Sequence, residues 1–302
     1  MLRTSVGISI VAASAALGLA LAPAGALAQS WSGRDRIDTT FQFDRTGTVV
    51  LGNGSATIVV NGWDQATIRV RARGDQAAIG FTASPRRVTV DPSRSSDDVE
   101  IEVWVPRGVR VEARTNSGDI TIHGTRGDVD AQTSSGDISI ADVGQVSVTT
   151  LSGDVGIRQT TGAVTAATNN GDVTISDSHG NIDATSISGD VGITRAVSKK
   201  VQATSTSGDV SYSGTIDAAG RYDLKTHSGD VVLSLPRDAS AQVDVATWNG
   251  SVDSDFSITI KPGSIAGGGG TKHYSFTIGA GSARITAETF SGDIVINSRG
   301  GI

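Results

Sequence analysis

The sequence predicts an all-β fold, a parallel β-solenoid (β-helix) of about nine coils, each of about 17–21 residues, behind a β-rich N-terminal cap, on three observations. A five-residue pattern, [Thr/Ser]-x-[Ser/Asn]-Gly-[Asp/Ser], begins at Thr115-Asn116-Ser117-Gly118-Asp119 and returns at 133–137, 150–154, 168–172, 186–190, 205–209, 226–230, 247–251 and 289–293. Its glycines therefore fall at Gly118, Gly136, Gly153, Gly171, Gly189, Gly208, Gly229, Gly250 and Gly292, and a near-constant step of this size marks a stack of repeats. Apolar residues fall two apart on both sides of each motif, first as Ile120/Ile122 and Val129/Ala131, which is the period of a strand with one buried face.

Taken in order, residues 1–28 read as a secretory signal. Arg3 supplies the basic leader, 6–21 the apolar stretch, and Ala26-Leu27-Ala28 a small-x-small cleavage site before Gln29. Residues 29–107 alternate like strands at 56–60, 66–70 and 99–103, with turns at Gly52-Asn53-Gly54 and Asn61-Gly62, and form the β-rich cap region. The repeat domain is placed at 108–302, entered through Pro106-Arg107-Gly108. Its last step, from Gly250 to Gly292, is twice the step before it and reads as two periods with one motif missing. The segment from Lys261-Pro262-Gly263 through the glycine tract 267–270 is expected to be a flexible excursion in the missing motif's place.

The motif itself has a mechanical reading. Thr115 and Ile120 must both point inward, yet they lie an odd number of positions apart, so the Ser-Gly-Asp between them has to turn a corner that breaks the alternation. Glycine suits a corner that needs positive φ, and the Asp or Ser side chain can accept free N–H groups there. A looser glycine column at Gly127, Gly144, Gly162 and Gly180 marks the opposite corner. Each coil buries only about four aliphatic side chains, roughly 1.5–3 kcal/mol apiece, against about 1–2 kcal/mol of backbone ordering for every residue, so a coil is stable only against its neighbours.

Composition narrows the function classes. The chain has no cysteine, which removes a disulfide framework, thiolate chemistry and a lipid-modified N-terminal Cys. The formal net charge of −6 is unevenly placed: residues 29–115 carry 12 basic and 11 acidic side chains, whereas 116–302 carry 12 and 20. An acidic rod disfavours nucleic acid and anionic lipid as partners. After the leader, no apolar run is long enough for a transmembrane helix.

Several stretches carry a family resemblance. Val60-Asn61-Gly62-Trp63-Asp64, Val103-Trp104-Val105-Pro106-Arg107-Gly108-Val109, the serial Ser-Gly-Asp motifs and the closing Phe290-Ser291-Gly292-Asp293-Ile294 resemble the bacterial "putative-adhesin" family of secreted Ser-Gly-Asp-repeat domains, a domain of unknown function, over about residues 40–302. The resemblance implies a β-solenoid at the cell envelope with no assigned catalytic residues. The expected function is therefore that of an exported, non-enzymatic interaction or scaffold module, periplasmic or at the cell surface, whose partner is an envelope protein or glycan. The alternatives are a structural protein that self-assembles through its ends and, further off, a glycan-active β-helix enzyme.

No catalytic, cofactor-binding or metal-binding residue is assigned, and no cofactor is expected. The column Asp119, Asp137, Asp154, Asp172, Asp190, Asp209, Asp230 and Asp293 has two readings, turn capping or a calcium ladder. Turn capping is favoured, because calcium-binding nonapeptide repeats place their Asp two residues before the buried apolar position, whereas here it immediately precedes it. Arg126-Gly127-Asp128 and Arg73-Gly74-Asp75 spell an integrin tripeptide, but repeat grammar accounts for the first. His123, His179, His227 and His273 lack metal spacing, and coils this short leave no room for the long loops that wall an enzyme cleft. The variable second motif position (Asn116, Ser134, Leu151, Asn169, Ile187, Thr206, His227, Trp248, Phe290) is expected to face outward, making its apolar members candidate contact points. Trp31, Trp63 and Trp104 are expected to pack in the cap.

Overall fold

In the computed structural model the two sheets predicted from the strand pairs face each other over one apolar core, one of 15 strands and one of 13. The structure describes residues 29–34, 36–74, 79–92, 99–256, 259–266 and 272–299, and the leader expected at 1–28 lies outside the described residues.

The first part of the chain forms β1 (Gln29–Arg34), β2 (Arg36–Gln42), β3 (Thr48–Gly54), β4 (Ala56–Trp63), β5 (Thr67–Gly74), β6 (Ile79–Ser84), β7 (Arg87–Asp91) and β8 (Val99–Pro106). Seven coils follow, each a strand pair around one motif: β9 (Arg110–Ser117) with β10 (Ile120–His123), β11 (Val129–Ser135) with β12 (Ile138–Val143), β13 (Val146–Ser152) with β14 (Val155–Thr160), β15 (Val164–Asn170) with β16 (Val173–Ser178), β17 (Ile182–Ser188) with β18 (Val191–Ala196), β19 (Lys200–Ser207) with β20 (Val210–Gly214), and β21 (Arg221–Ser228) with β22 (Val231–Pro236). The chain closes with β23 (Ala241–Asn249), β24 (Val252–Ser254), β25 (Thr259–Ala266), β26 (Lys272–Ile278), β27 (Ala283–Ser291) and β28 (Ile294–Arg299).

From β9 to β22 the odd-numbered strands pair in parallel in the larger sheet and the even-numbered ones in the smaller. Registers follow the repeat. Ile120, Ile138, Val155, Val173, Val191, Val210 and Val231 stand in one file, as do Val129, Val146, Val164 and Ile182. All are buried, so each coil's aliphatic side chains rest on those of the next. Where the coils lengthen, after Gly208, Tyr222 follows Ile182 and Val201 in the second file and Tyr212 stands beside Ile193 in the inward file next to the first, their rings 5.4 Å apart. Their hydroxyls reach the far corner and donate to the carbonyls of Thr215 (2.9 Å) and Ser198 (2.7 Å), which satisfies polar groups that the longer coil would leave inside. Burial pushes both phenols above their ordinary pKa.

Residues 29–106 extend the same two sheets. β3 and β4 lie beside β9 and β10 in parallel, and β7 and β8 stack in parallel beyond them. β5 and β6 then run antiparallel on the outside, followed by β2 and β1.

The other end departs from the sequence reading. β27 pairs with both β21 and β23, and β28 with both β22 and β24, so the coil that is last in sequence is inserted between two coils consecutive in sequence. The long step from Gly250 to Gly292 therefore does not hold a place for a missing motif. The chain steps one coil too far at β23 and β24, turns back through antiparallel β25 and β26, and returns to fill the gap. Residues 261–266 of the expected flexible excursion lie in a strand, β25; its glycine tract 267–270 lies outside the described residues. The inserted coil finds open parallel edges on both sides, and edge strands with free N–H and C=O groups accept any strand of matching register.

Candidate functional site: the motif edge

Each of the nine motifs makes a corner where the chain passes from the larger sheet to the smaller, and they align in one edge along the rod. Each position has its own task. The opening Thr or Ser is buried, and in most coils its hydroxyl donates to the motif-glycine carbonyl of the neighbouring coil, as from Ser186 to Gly171 (3.0 Å), Ser205 to Gly189 (2.8 Å) and Thr289 to Gly229 (2.9 Å). The third residue's carbonyl accepts the glycine N–H from the adjacent coil, as from Gly153 to Asn170 (2.9 Å).

The glycine is required twice over. Gly171 sits at φ 143°, and a Cβ built there would overlap the carbonyl oxygen of Gly153 in the next coil. The same close approach recurs along the whole file.

The Asp column ties coil to coil. The Oδ1 of Asp119 accepts the backbone N–H of Asp137 (2.9 Å), Asp137 that of Asp154 (2.9 Å), Asp154 that of Asp172 (2.9 Å), and so on to Asp230, which accepts from Asp293 (2.7 Å). These carboxylates cap N–H groups, as the turn-capping reading expects, but the donors lie in the neighbouring coil and not in their own turn. The one motif without Asp is thereby explained. Asp293 accepts from the N–H (2.7 Å) and hydroxyl (3.1 Å) of Ser251, and beyond Ser251 stands antiparallel β26, which brings no further corner to cap. Those two bonds hold the Asp293 carboxyl below the ordinary range.

The second motif position faces outward. Leu151 (51 % exposed), Ile187 (48 %), Trp248 (43 %) and Phe290 (43 %) are the large apolar members of this file. Because β27 lies between β21 and β23, the spatial order at the end of the file is His227, Phe290, Trp248. Their rings stack, His227 on Phe290 at 4.9 Å and 13°, Phe290 on Trp248 at 5.7 Å and 19°. Sequence spacing suggested each residue as a candidate contact but could not bring the three together.

The opposite corner holds Arg126, Asp142, Gln159, Asp177 and Arg195 in the left-handed region at φ 50–55°. Ion pairs join its ends, Arg126 to Asp142 (3.4 Å) and Arg195 to Asp177 (2.7 Å). Arg195 holds the Asp177 carboxyl below its ordinary pKa through this hydrogen-bonded contact. The Arg126-Gly127-Asp128 tripeptide is thus used by the coil: Arg126 pairs with Asp142, a Cβ on Gly127 would overlap the Val109 carbonyl, and Asp128 accepts the N–H of Gln145 (3.3 Å). In the other tripeptide Arg73 pairs with Glu100, and Asp75 lies outside the described residues. His123 and His179 are exposed and far apart along the rod. Trp63 donates its indole N–H to Thr67, while Trp104 lies on the outer face of the smaller sheet beneath the guanidiniums of Arg69 (5.4 Å) and Arg71 (5.3 Å), and so does not join the core. Among the described residues no helix is long and apolar enough to cross a membrane.

Residues 53–297, spanning the parallel coils and their inserted last member, match the family model described as Toastrack DUF4097. The chain belongs to the Toastrack family. No curated protein matches it. Similar crystal structures include a "putative cell adhesion protein" from Clostridium sporogenes ATCC 15579, at 10% identity and TM-score 0.25 over 87% of this chain and 100% of that one, and a "putative adhesin" from Bacteroides fragilis NCTC 9343, at 9% identity and TM-score 0.34 over 86% and 96%. Scores this low do not establish a shared arrangement, so the Toastrack assignment rests on the match over residues 53–297.

Proposed function

We propose that this Toastrack protein is an exported, non-enzymatic interaction or scaffold module of the adhesin type, working at the bacterial cell envelope on an envelope protein or glycan. The observation that carries the reading is the outward file at the second motif position. Leu151, Ile187, Phe290 and Trp248 stand exposed in one file along the motif edge, where weak contacts at several coils add through effective concentration. The non-enzymatic part is supported by how the carboxylates are used. They stand in single file and accept N–H groups from neighbouring coils, whereas glycoside hydrolysis needs two carboxyls facing each other across a cleft. Export is supported by the leader-like sequence 1–28.

The test is binding of the purified chain to isolated bacterial envelopes. Saturable binding is expected, and Leu151→Ser/Ile187→Ser/Trp248→Ser should weaken it by about tenfold or more, with the melting temperature lowered only by the loss of the Trp248–Phe290 stacking contact. Absence of binding, or equal binding by the triple variant, refutes the reading; glycan cleavage in the same preparations refutes its non-enzymatic part.

A further inference from the structure

On the larger sheet, at the start of three spatially consecutive strands, Lys200, Arg221 and Arg284 occupy one register file: Lys200 is partnered with Arg221, and Arg221 with Arg284. All three are exposed, and neighbouring strands stand about 4.8 Å apart, so three positive charges line up parallel to the rod axis. Lys199 adds a fourth at the file's foot. Among the described residues none of the four side chains has an ion pair or a hydrogen bond. Elsewhere on this acidic rod Arg126, Arg195 and Lys225 each meet a carboxylate on the neighbouring coil. Like charges directly opposite one another destabilise a sheet, so an unneutralised ladder of this kind opposes the fold that carries it.

A groove of about 470 Å³ opens beside the ladder, at the step where the coils lengthen. Lys199 lines it, with Asn181, Ser198 and Thr215 as polar walls and Val197 and Ile216 as apolar ones. Its carboxylate, Asp217, is engaged in its own turn, accepting the N–H of Ala219 at 2.9 Å.

We propose that this ladder and groove form a binding site for an acidic polysaccharide whose chain lies along the rod, its carboxylates on Lys200, Arg221 and Arg284 and one sugar ring in the groove. The inference rests on the interaction-module reading and names its ligand class. A linear file of cations asks for a linear array of anions, and a groove with amide, hydroxyl and aliphatic groups matches a ring with hydroxyl edges and an apolar face. The ladder and the groove lining hold no aromatic side chain on which a nucleic-acid base could stack, and a flat anionic membrane would leave the groove unused.

The test measures binding of the full chain to polygalacturonate, to neutral dextran and to vesicles of phosphatidylglycerol and phosphatidylcholine. Binding to polygalacturonate alone, weakening as salt rises, is expected. Arg221→Gln/Arg284→Gln should lower affinity by about tenfold or more, Arg221→Lys/Arg284→Lys should retain most of it, and Arg158→Gln, an exposed charge on the other sheet, should change nothing. Melting of the Gln variant should be unchanged or higher, since it relieves repulsion; a purely structural role would lower it. Equal binding to dextran, binding to vesicles in preference to polygalacturonate, no binding, or full affinity in the Gln variant overturns the proposal. If that variant still binds whole envelopes like the unmodified chain, the ligand assignment fails while the interaction reading stands.

Discussion

Replacing Gly171 by Val tests the corner geometry with a built-in control. At φ 143° any L side chain is strained, which costs about 1–3 kcal/mol, and the new Cβ meets backbone, the Gly153 carbonyl, so no side chain can swing away to relieve it. The corner must retreat from its neighbour. At least two of the bonds made there, Gly171 N–H to Ser188 (2.9 Å), Asp172 N–H to Asp154 (2.9 Å) and the Thr168 hydroxyl to Gly153 (3.3 Å), are then lost at about 0.5–1.5 kcal/mol each. The sum is about 2–6 kcal/mol. Gly156→Val is the control, because that glycine lies within β14 with ordinary φ and its nearest obstacle, the Ile138 carbonyl, is 3.9 Å from the added Cβ. A β-branched residue suits that strand position, and stability should hold or rise. Urea denaturation supplies the comparison, with amide exchange at residues 153–190 added because a stack of repeats can open in parts. A denaturation midpoint for Gly171→Val equal to that of the unmodified chain, or an equal loss for Gly156→Val, would refute the corner argument.

Three further outcomes follow from the two corners. Asp172→Ala should destabilise by about 0.5–1.5 kcal/mol by leaving the exposed Asp190 N–H to water, whereas Asp172→Asn keeps an oxygen there and should lose less on thermal melting. Asp177 and Asp293 have folded-state pKa values below their unfolded ones, so their contribution is present above about pH 4 and is lost as pH falls through the folded values; acid titration of Asp177→Asn/Asp293→Asn should show a shallower loss than the unmodified chain. Phe290→Ala removes the middle ring of a three-ring stack, two contacts worth about 0.5–1.5 kcal/mol each, and should both lower stability and shift the Trp248 contribution to fluorescence, which Trp248→Phe identifies by difference.

Much of this architecture could be read from the residues. Ile120/Ile122 and Val129/Ala131 announced the two facing strands, the odd step from Thr115 to Ile120 required a corner, and the glycine there is the residue the corner demands. The order of the coils could not be read, for a physical reason. The motif fixes register and every coil offers its neighbour the same edge; the one residue that bears on order, Ser251 in place of Asp, marks a corner with none beyond it and can be read that way only once the pairing is known. The stack of His227, Phe290 and Trp248 was hidden for the same cause. The ladder of Lys200, Arg221 and Arg284 was hidden too, since it exists only once β27 is seated against β21. The left-handed column left no trace because Arg, Asp and Gln share it, so no residue type recurs there to mark it.

The seating of the last coil is the claim on which the aromatic stack and the cation ladder both depend, and a disulfide survey measures it. The chain has no cysteine, so pairs can be introduced without background. Ser228 and Ser291 are register partners on adjacent strands, as are Ser291 and Asn249, whereas Ser228 and Asn249 have a whole strand between them, about 9.6 Å and beyond disulfide reach. Mapped after mild oxidation, Ser228→Cys/Ser291→Cys and Asn249→Cys/Ser291→Cys should each close in high yield and Ser228→Cys/Asn249→Cys should remain reduced. Efficient closure of the 228–249 pair with an open 228–291 pair would show that the coils stack in sequence order and contradict the account.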